Sequence, residues 1–163
     1  NVANFPKEGI QFYDISTLLA HGPAWHKAIN DLTNVLKPYK PDLLAAIESR
    51  GFLIAAPLAV ALGCGFIMVR KKGKLPGQTL SYTYDLEYGQ DCLEIQNDLI
   101  QPNQKIVVVD DLLATGGTMA AAIHLIEKIG AEVLASAAII ELRFLKGRER
   151  LKVPFTSLIA YDS

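Results

Sequence analysis

The sequence predicts an α/β fold, a central and mostly parallel sheet flanked by helices. Three observations carry that prediction. Ile106, Val107, Val108 and Val109 form an unbroken β-branched run, the pattern of a strand covered on both faces rather than the alternation of a half-solvated one. From Thr118 the apolar residues switch to helical spacing, with Met119, Ala122, Ile123, Ile126 and Ile129 on one face and Gly130 in the stop position. The same order of strand, polar turn and helix occurs earlier, where Asp42 to Ile47 leads through Glu48-Ser49-Arg50-Gly51 to an apolar helix beginning near Phe52.

Taken in order, Asn4 to Leu19 reads as a loop and short extended arm, because Pro6 and Gly9 break it and Ile10 and Phe12 alternate. Pro23 to Leu36 follows as an amphipathic helix, with Trp25, Ala28, Ile29, Leu32, Val35 and Leu36 at helical spacing. Phe52 to Val69 contains no charge and reaches the length of a membrane span. Pro57 interrupts its first half and Gly63-Cys64-Gly65 its second, so it reads as a short buried helix, a turn and a buried strand, Phe66 to Val69. Leu75-Pro76-Gly77 signals a turn, and two alternating segments around Glu87, Tyr88 and Gly89 predict a two-stranded flap able to close over a site. Glu132 to Ile140 is a fourth buried strand. The tail carries Phe144 and Leu145 ahead of a basic cluster, then a last strand, Phe155 to Tyr161.

Composition bounds the chemistry. With 163 residues, half of them hydrophobic, the chain is expected to form one domain with a substantial core. A formal net charge of −1 offers no global field for nucleic acid or an anionic membrane, so any basic patch must be local. Cys64 and Cys92 lack the density of a disulfide scaffold and the spacing of a zinc site, which suits a reducing cytoplasm. His21, His26 and His124 have no partner nearby in sequence and read as surface or capping residues. The opening NVANFPKEG shows neither the basic nor the apolar region of a signal peptide, and its lack of an initiator Met leaves room for sequence ahead of it.

The candidate site centres on the turn from Leu112 to Thr118. Ala114, Thr115, Gly116, Gly117 and Thr118 leave backbone amides unobstructed just before a helix N-terminus, where amides and dipole together bind anions. Asp110 and Asp111 beside that anion would repel it unless sugar hydroxyls or a divalent cation lay between. A phosphorylated ribose with a metal meets these demands; an ordinary strand-to-helix turn with two solvated aspartates is the bland alternative. Neither a P-loop pattern nor a complete dinucleotide glycine fingerprint is present. In a doubly wound sheet both polar turns open onto one crevice, so Arg50 and its neighbouring amides could hold a second anion, or Arg50 could be a surface ion pair. Arg70, Lys71, Lys72 and Lys74 reach the same edge, as a clamp for a multiply charged phosphate or as a solvated loop.

VVVDDLLATGGT resembles the phosphoribosyl pyrophosphate motif of type I phosphoribosyltransferases. With FPKEGIQFYDIS, ESRGF, RKKGKLPG, YDLEYG, LKGRERL and VPFTSL in order, nearly the whole chain resembles the adenine phosphoribosyltransferase family. That resemblance implies the type I fold, with a base-binding arm or hood over residues 1–20 and a flexible flap over 70–98. It implies joining of adenine to phosphoribosyl pyrophosphate to give AMP and pyrophosphate, with Mg²⁺ held mainly by substrate and water, in a cytoplasmic homodimer. By position it implies that Asp110 and Asp111 grip the ribose and Ala114 to Thr118 the 5′-phosphate. Glu48, Ser49, Arg50, Arg70, Lys71 and Lys74 would surround pyrophosphate, while Ile10, Gln11, Phe12 and Leu112 would form the adenine pocket. Glu87 would be the catalytic carboxylate and Tyr88 its neighbour. Tyr13 is a departure, at a position often held by arginine. A phosphoribosyltransferase for another purine, or a non-catalytic sensor of the sugar donor, are the competing readings.

Overall fold

The computed structural model describes residues 1–85 and 89–163. The chain opens with β1 (Val2–Ala3) and β2 (Gln11–Phe12), an antiparallel ribbon separate from the main sheet. Helices α1 (Ser16–Ala20) and α2 (Gly22–Leu36) follow, then β3 (Leu43–Ile47), α3 (Arg50–Leu62) and β4 (Gly65–Lys71). The hairpin β5 (Thr79–Asp85) and β6 (Gln90–Gln96) leads to β7 (Lys105–Leu113), α4 (Gly117–Glu127), β8 (Glu132–Leu142) and β9 (Phe155–Tyr161).

Seven strands form one sheet in the order β5-β6-β4-β3-β7-β8-β9. Pairings from β4 across to β9 are parallel, and the hairpin adds antiparallel strands at one edge. The β-branched run lies near the middle, with Ile106, Val107, Val108 and Val109 all fully buried. Ile106 and Val108 pack with α4 residues such as Met119, Ile123 and Ile126; Val107 and Val109 pack with Leu32 and Leu36 of α2 and Ile54 and Leu58 of α3. Each such side chain contributes about 1.5–3 kcal/mol relative to exposure, so the helical layers and this strand fix one another.

Several boundaries differ from the sequence reading. The aspartates do not end their strand: β7 runs on to Leu113 because the long β8 keeps pairing with it, Asp110 opposite Ala138 and Leu112 opposite Ile140. On its other side β7 loses β3 after Val109, which faces Ala46. The β3 edge is therefore open from Asp110 onward. Arg70 and Lys71 belong to β4 rather than to a loop beyond it, since β6 pairs with them through Glu94 and Leu93. The base of the expected flap is thus part of the sheet, with Leu93 and Ile95 buried in the core.

Helix α3 starts at Arg50, earlier than Phe52, and continues through Pro57. Proline removes the donor that the Leu53 carbonyl would use, but Leu53 is half exposed, so water can serve it. The apolar stretch still divides as expected into a helix and a strand, and no helix among the described residues is long and apolar enough to cross a membrane. Helix α4 ends at Glu127, three residues before Gly130, as shorter-range hydrogen bonds from Ile129 and Gly130 tighten its last turn. Helix α1 was not anticipated. Asp14 accepts from the Ser16 amide and hydroxyl at its start, and Tyr13 and Ile15 are buried beneath it. His21 caps α2 through its ring nitrogen.

Candidate active site

At the carboxyl ends of β3 and β7 the connections leave on opposite faces of the sheet, α3 to one side and α4 to the other. This is a topological switch point, where an open α/β sheet forms a crevice. A cavity of about 520 Å³ occupies it. Its lining brings together Phe12, Glu48, Ser49, Arg50, Lys71, Asp110, Asp111, Leu112 and the loop from Ala114 to Thr118. The two polar turns share one crevice, as the sequence predicts.

One wall is backbone. Gly116 is the N-cap of α4 in a left-handed conformation, and no side chain among the described residues caps it. The first-turn amides of α4 are therefore available to an anion, with the helix dipole behind them. Thr118 Oγ1 lies 3.1 Å from the Tyr84 hydroxyl, which ties the loop to the hairpin.

The opposite wall is charged. Gly51 is buried at the start of α3, where a β-carbon would come within 3.1 Å of the Val109 carbonyl oxygen and 3.3 Å of Asp110 Oδ1. Its bare backbone lets α3 sit directly on β7. The preceding turn contains a cis peptide between Glu48 and Ser49. Glu48 accepts from Arg70 Nε at 2.8 Å, from Lys74 Nζ at 3.0 Å and from the Lys71 amide at 3.2 Å. Burial pushes the Glu48 carboxyl upward, but the bonds from Arg70 and Lys74 outweigh it and leave the group below its ordinary range. Lys71 forms an ion pair with Asp91 on β6, which raises the lysine's pKa. Burial also works against the Asp91 charge, but the hydrogen bonds from Lys71 and the Cys92 amide, together with the Lys71 charge, outweigh it, so that carboxyl is lowered.

Between these walls lies the acid pair. Asp110 accepts from the Asp111 amide at 2.8 Å. Burial, and then the neighbouring charge of Asp111, raises the Asp110 carboxyl well above its ordinary range. Asp111 Oδ2 is buried without an aligned hydrogen-bond donor among the described residues, although Arg50 Nε stands 2.6 Å away as its ion-pair partner. The Arg50 guanidinium also lies over Phe12, 4.8 Å from the ring centroid, and Phe5 meets that ring edge-on at 5.0 Å. The N-terminal ribbon thereby reaches the mouth of the crevice.

Other predicted residues sit apart from the lining. Arg70 and Lys74 are engaged with Glu48, and Ile10 and Gln11 are exposed on the ribbon. Glu87 and Tyr88 lie outside the described residues. Tyr13 turns away from the crevice and packs against Tyr161, with ring centroids 4.6 Å apart and ring planes tilted by 48°. Sequence reasoning missed Tyr84 and Asp91. Tyr84 stands opposite Asp91 across the hairpin and its hydroxyl is 3.5 Å from Asp91 Oδ2; the alternation of the two segments gave their pairing but not this register.

For a metal the crevice offers carboxylate oxygens of Asp110 and Asp111, one of them lacking an aligned donor. Among the described residues no cluster of three or more His, Cys, Asp or Glu could form a cage. That donor set fits an ion such as Mg²⁺, which keeps several waters and is completed by substrate oxygens.

Comparison with known proteins gives the same picture. The profile of the phosphoribosyl transferase domain matches residues 11–158. An adenine phosphoribosyltransferase of Rhodospirillum centenum is 67% identical over 162 residues, covering 99% of this chain and 95% of the relative. The crystal structure of adenine phosphoribosyltransferase from Thermoanaerobacter pseudethanolicus superposes with a TM-score of 0.95 at 49% identity, covering 98% of this chain and 94% of that one. The Saccharomyces cerevisiae enzyme, complexed with D-2,5-dideoxy-2,5-imino-altritol 1,6-bisphosphate and adenine, superposes at 0.92 with 42% identity, covering 96% and 92%. A domain match over most of the chain and full-length relatives at this identity place the chain in the adenine phosphoribosyltransferase family.

Proposed function

We propose that the protein transfers the 5-phosphoribosyl group from phosphoribosyl pyrophosphate to adenine, releasing pyrophosphate and forming AMP, a purine-salvage reaction. The observation that carries this reading is the crevice itself: an amide-lined loop and a cationic turn face each other across an acid pair, with an aromatic ring at the mouth. The yeast relative was solved with a sugar-like bisphosphate and adenine together, which supports the same pairing of ligands.

In this reading the amides of Ala114 to Thr118 and the Thr115 and Thr118 hydroxyls hold the 5′-phosphate, and Asp110 and Asp111 accept from the ribose hydroxyls. Ser49, Arg50 and Lys71 take the pyrophosphate, with Arg70 and Lys74 reaching it by exchange from Glu48. Phe12 and Leu112 cover the two faces of adenine, and the backbone of Ile10 and Gln11 reads its edge. Loss of pyrophosphate leaves cationic character on the ribose ring, which the acid pair below it stabilises. Mg²⁺, when bound, neutralises charge on the diphosphate oxygens. Glu87, with Tyr88 beside it, accepts the proton that adenine loses as the new bond forms.

The rest of the reading concerns the whole protein. It is a single domain that works in the cytoplasm, consistent with two free cysteines, Cys64 and Cys92. It works as a homodimer, for which the exposed apolar side chains of Leu53 and Val60 on α3 and Phe66 and Met68 on β4 are available as contacts, Val60 being 83% exposed.

Pyrophosphate release with adenine, hypoxanthine and guanine tests the assignment. Adenine should exceed the other bases by about two orders of magnitude in kcat/KM, because a site built to hydrogen-bond one base edge leaves groups unpaired with another. Comparable rates with all three would remove the adenine assignment. Glu87→Gln should lower kcat by about 100-fold; turnover within a few-fold of the parent would remove the carboxylate from catalysis.

A further inference from the structure

The segment between β8 and β9 contributes no group to the chemistry above, yet its backbone presses on the loop that forms the anion wall. Gly147 is buried, and a β-carbon on it would lie 2.2 Å from the Ala114 carbonyl oxygen and 2.9 Å from the Gly116 amide nitrogen. The contact is reciprocal: a β-carbon on Gly116 would lie 2.3 Å from the Gly147 carbonyl oxygen. No real β-carbon approaches another heavy atom so closely. Two glycines thirty-one positions apart thus allow one backbone to lie on another.

We propose that the Gly147 turn is a buttress that holds the 114–116 loop in its anion-binding shape, and that Gly147, Arg148 and Glu141 are positioning residues for the 5′-phosphate. This rests on the reading of that loop as the 5′-phosphate site.

The turn is itself rigidly held. Arg148 donates to both Glu141 oxygens, Nε to Oε1 at 2.9 Å and Nη2 to Oε2 at 2.6 Å, and Nη1 to the Phe155 carbonyl at 2.8 Å. The Ser157 hydroxyl adds a bond to Glu141 Oε2 at 2.9 Å. A two-pronged guanidinium–carboxylate pair fixes direction as well as distance. Glu141 is 3% exposed and pairs in register with Leu113, the residue just before the loop. One side chain therefore links the end of β7 to the turn that backs the loop.

The loop needs such a wall. Ala114, Thr115, Gly116 and Gly117 have few side-chain atoms with which to pack, so their amides would otherwise sample many orientations. Ordering them during binding would weaken affinity for the phosphate, whereas a loop ordered beforehand avoids that loss. The buttress acts before ligand arrives.

Gly147→Ala isolates the contact, because Gly147 lacks the left-handed φ of Gly116 and tolerates a methyl in backbone terms. Steady-state kinetics should show KM for phosphoribosyl pyrophosphate raised about 10- to 100-fold, with kcat within about three-fold and KM for adenine unchanged. Calorimetry should show ribose 5-phosphate binding weakened by a similar factor. Arg148→Lys keeps the charge but loses the fork, and should move the same two constants about 3- to 10-fold; it serves should Gly147→Ala fail to fold. A soluble Gly147→Ala variant that binds ribose 5-phosphate within two-fold of the parent would overturn the proposal, as would a loss shared equally by adenine. If the parent binds ribose 5-phosphate but releases no pyrophosphate with adenine, the functional reading falls, and the comparison of ribose 5-phosphate affinities still decides the buttress. A parent chain that binds no ribose 5-phosphate would overturn both.

Discussion

The loop after β7 and the turn after β3 face each other across one crevice and hold their shapes by different means. From Ala114 to Thr118 the loop has no charged side chain; its form comes from the bare backbones of Gly116 and Gly147 in contact and from the start of α4. In the turn after β3, form comes from charge: Glu48 holds Arg70 and Lys74, Asp111 holds Arg50, and Asp91 holds Lys71. A steric contact is present whether or not ligand is bound. An ion pair can be exchanged for another anion. The first design suits the end of a substrate that must stay still, and the second suits a group that must leave.

Gly116→Ala attacks the steric side and should have the largest effect. Its β-carbon would meet Gly147 at 2.3 Å, and its φ of 79° disfavours any side chain. The loop must move by about an ångström, so kcat/KM for phosphoribosyl pyrophosphate should fall by about 100-fold or more. A fall of less than about ten-fold would mean that the loop adapts freely and is not sterically set.

Glu48→Gln tests the exchangeable side. The carboxylate is 7% exposed and satisfies two cations and an amide. Loss of a charged acceptor of this kind costs about 2 kcal/mol, or roughly 4–8 °C in Tm for a chain of this size. Added pyrophosphate should restore about half of that loss or more, because it supplies the missing negative charge to Arg70 and Lys74. A Tm difference that is the same with and without pyrophosphate would show that the ligand does not replace Glu48.

The acid pair between the walls gives a pH test. Asp110 is raised above its ordinary value, so the folded state favours its neutral form. The stability gained is complete below the ordinary carboxylate pKa and is lost as pH rises through the raised folded-state value. Asp110→Asn mimics the neutral form and can keep the bond from the Asp111 amide. Without ligand the variant should therefore gain stability relative to the parent as pH rises above the ordinary carboxylate range, with the difference closing as pH falls back toward about 4. An unchanged difference across that range would show that Asp110 does not titrate abnormally.

What the sequence revealed depended on how local the cause was. Burial on both faces demands an apolar residue at every position, so Ile106 to Val109 announced a central strand without reference to anything else. Strand ends were hidden, because Asp110 to Leu113 remain in β7 only through pairing with β8. Glu48 and Arg50 were visible as a polar turn, but the grip of Glu48 on Arg70 and Lys74 depends on β3 and β4 lying side by side. Gly147 stood inside a basic cluster that drew attention to charge, whereas its contact with Gly116 is set by the distance between segments far apart in the chain. Family resemblance supplied the missing long-range information for Phe12, which reaches the crevice only through the β1–β2 ribbon.

Tyr84 joins the two regions, and its removal should give the smallest and most specific effect. Its hydroxyl lies 3.1 Å from Thr118 Oγ1 on the steric side and 3.5 Å from Asp91 Oδ2, the partner of Lys71, on the charged side. Burial raises its pKa, so the hydroxyl remains protonated and can donate to one neighbour while accepting from the other. Tyr84→Phe keeps the buried ring and deletes only this bridge, which for a neutral hydrogen bond corresponds to about 0.5–1.5 kcal/mol, or roughly 2- to 10-fold in affinity for phosphoribosyl pyrophosphate. Asp91→Asn breaks the same chain from the other end while also weakening the hold on Lys71, so the double variant should lose less than the product of the two single losses. Losses that simply multiply would mean that the steric and the charged wall act on the donor independently, with Tyr84 serving each of them locally.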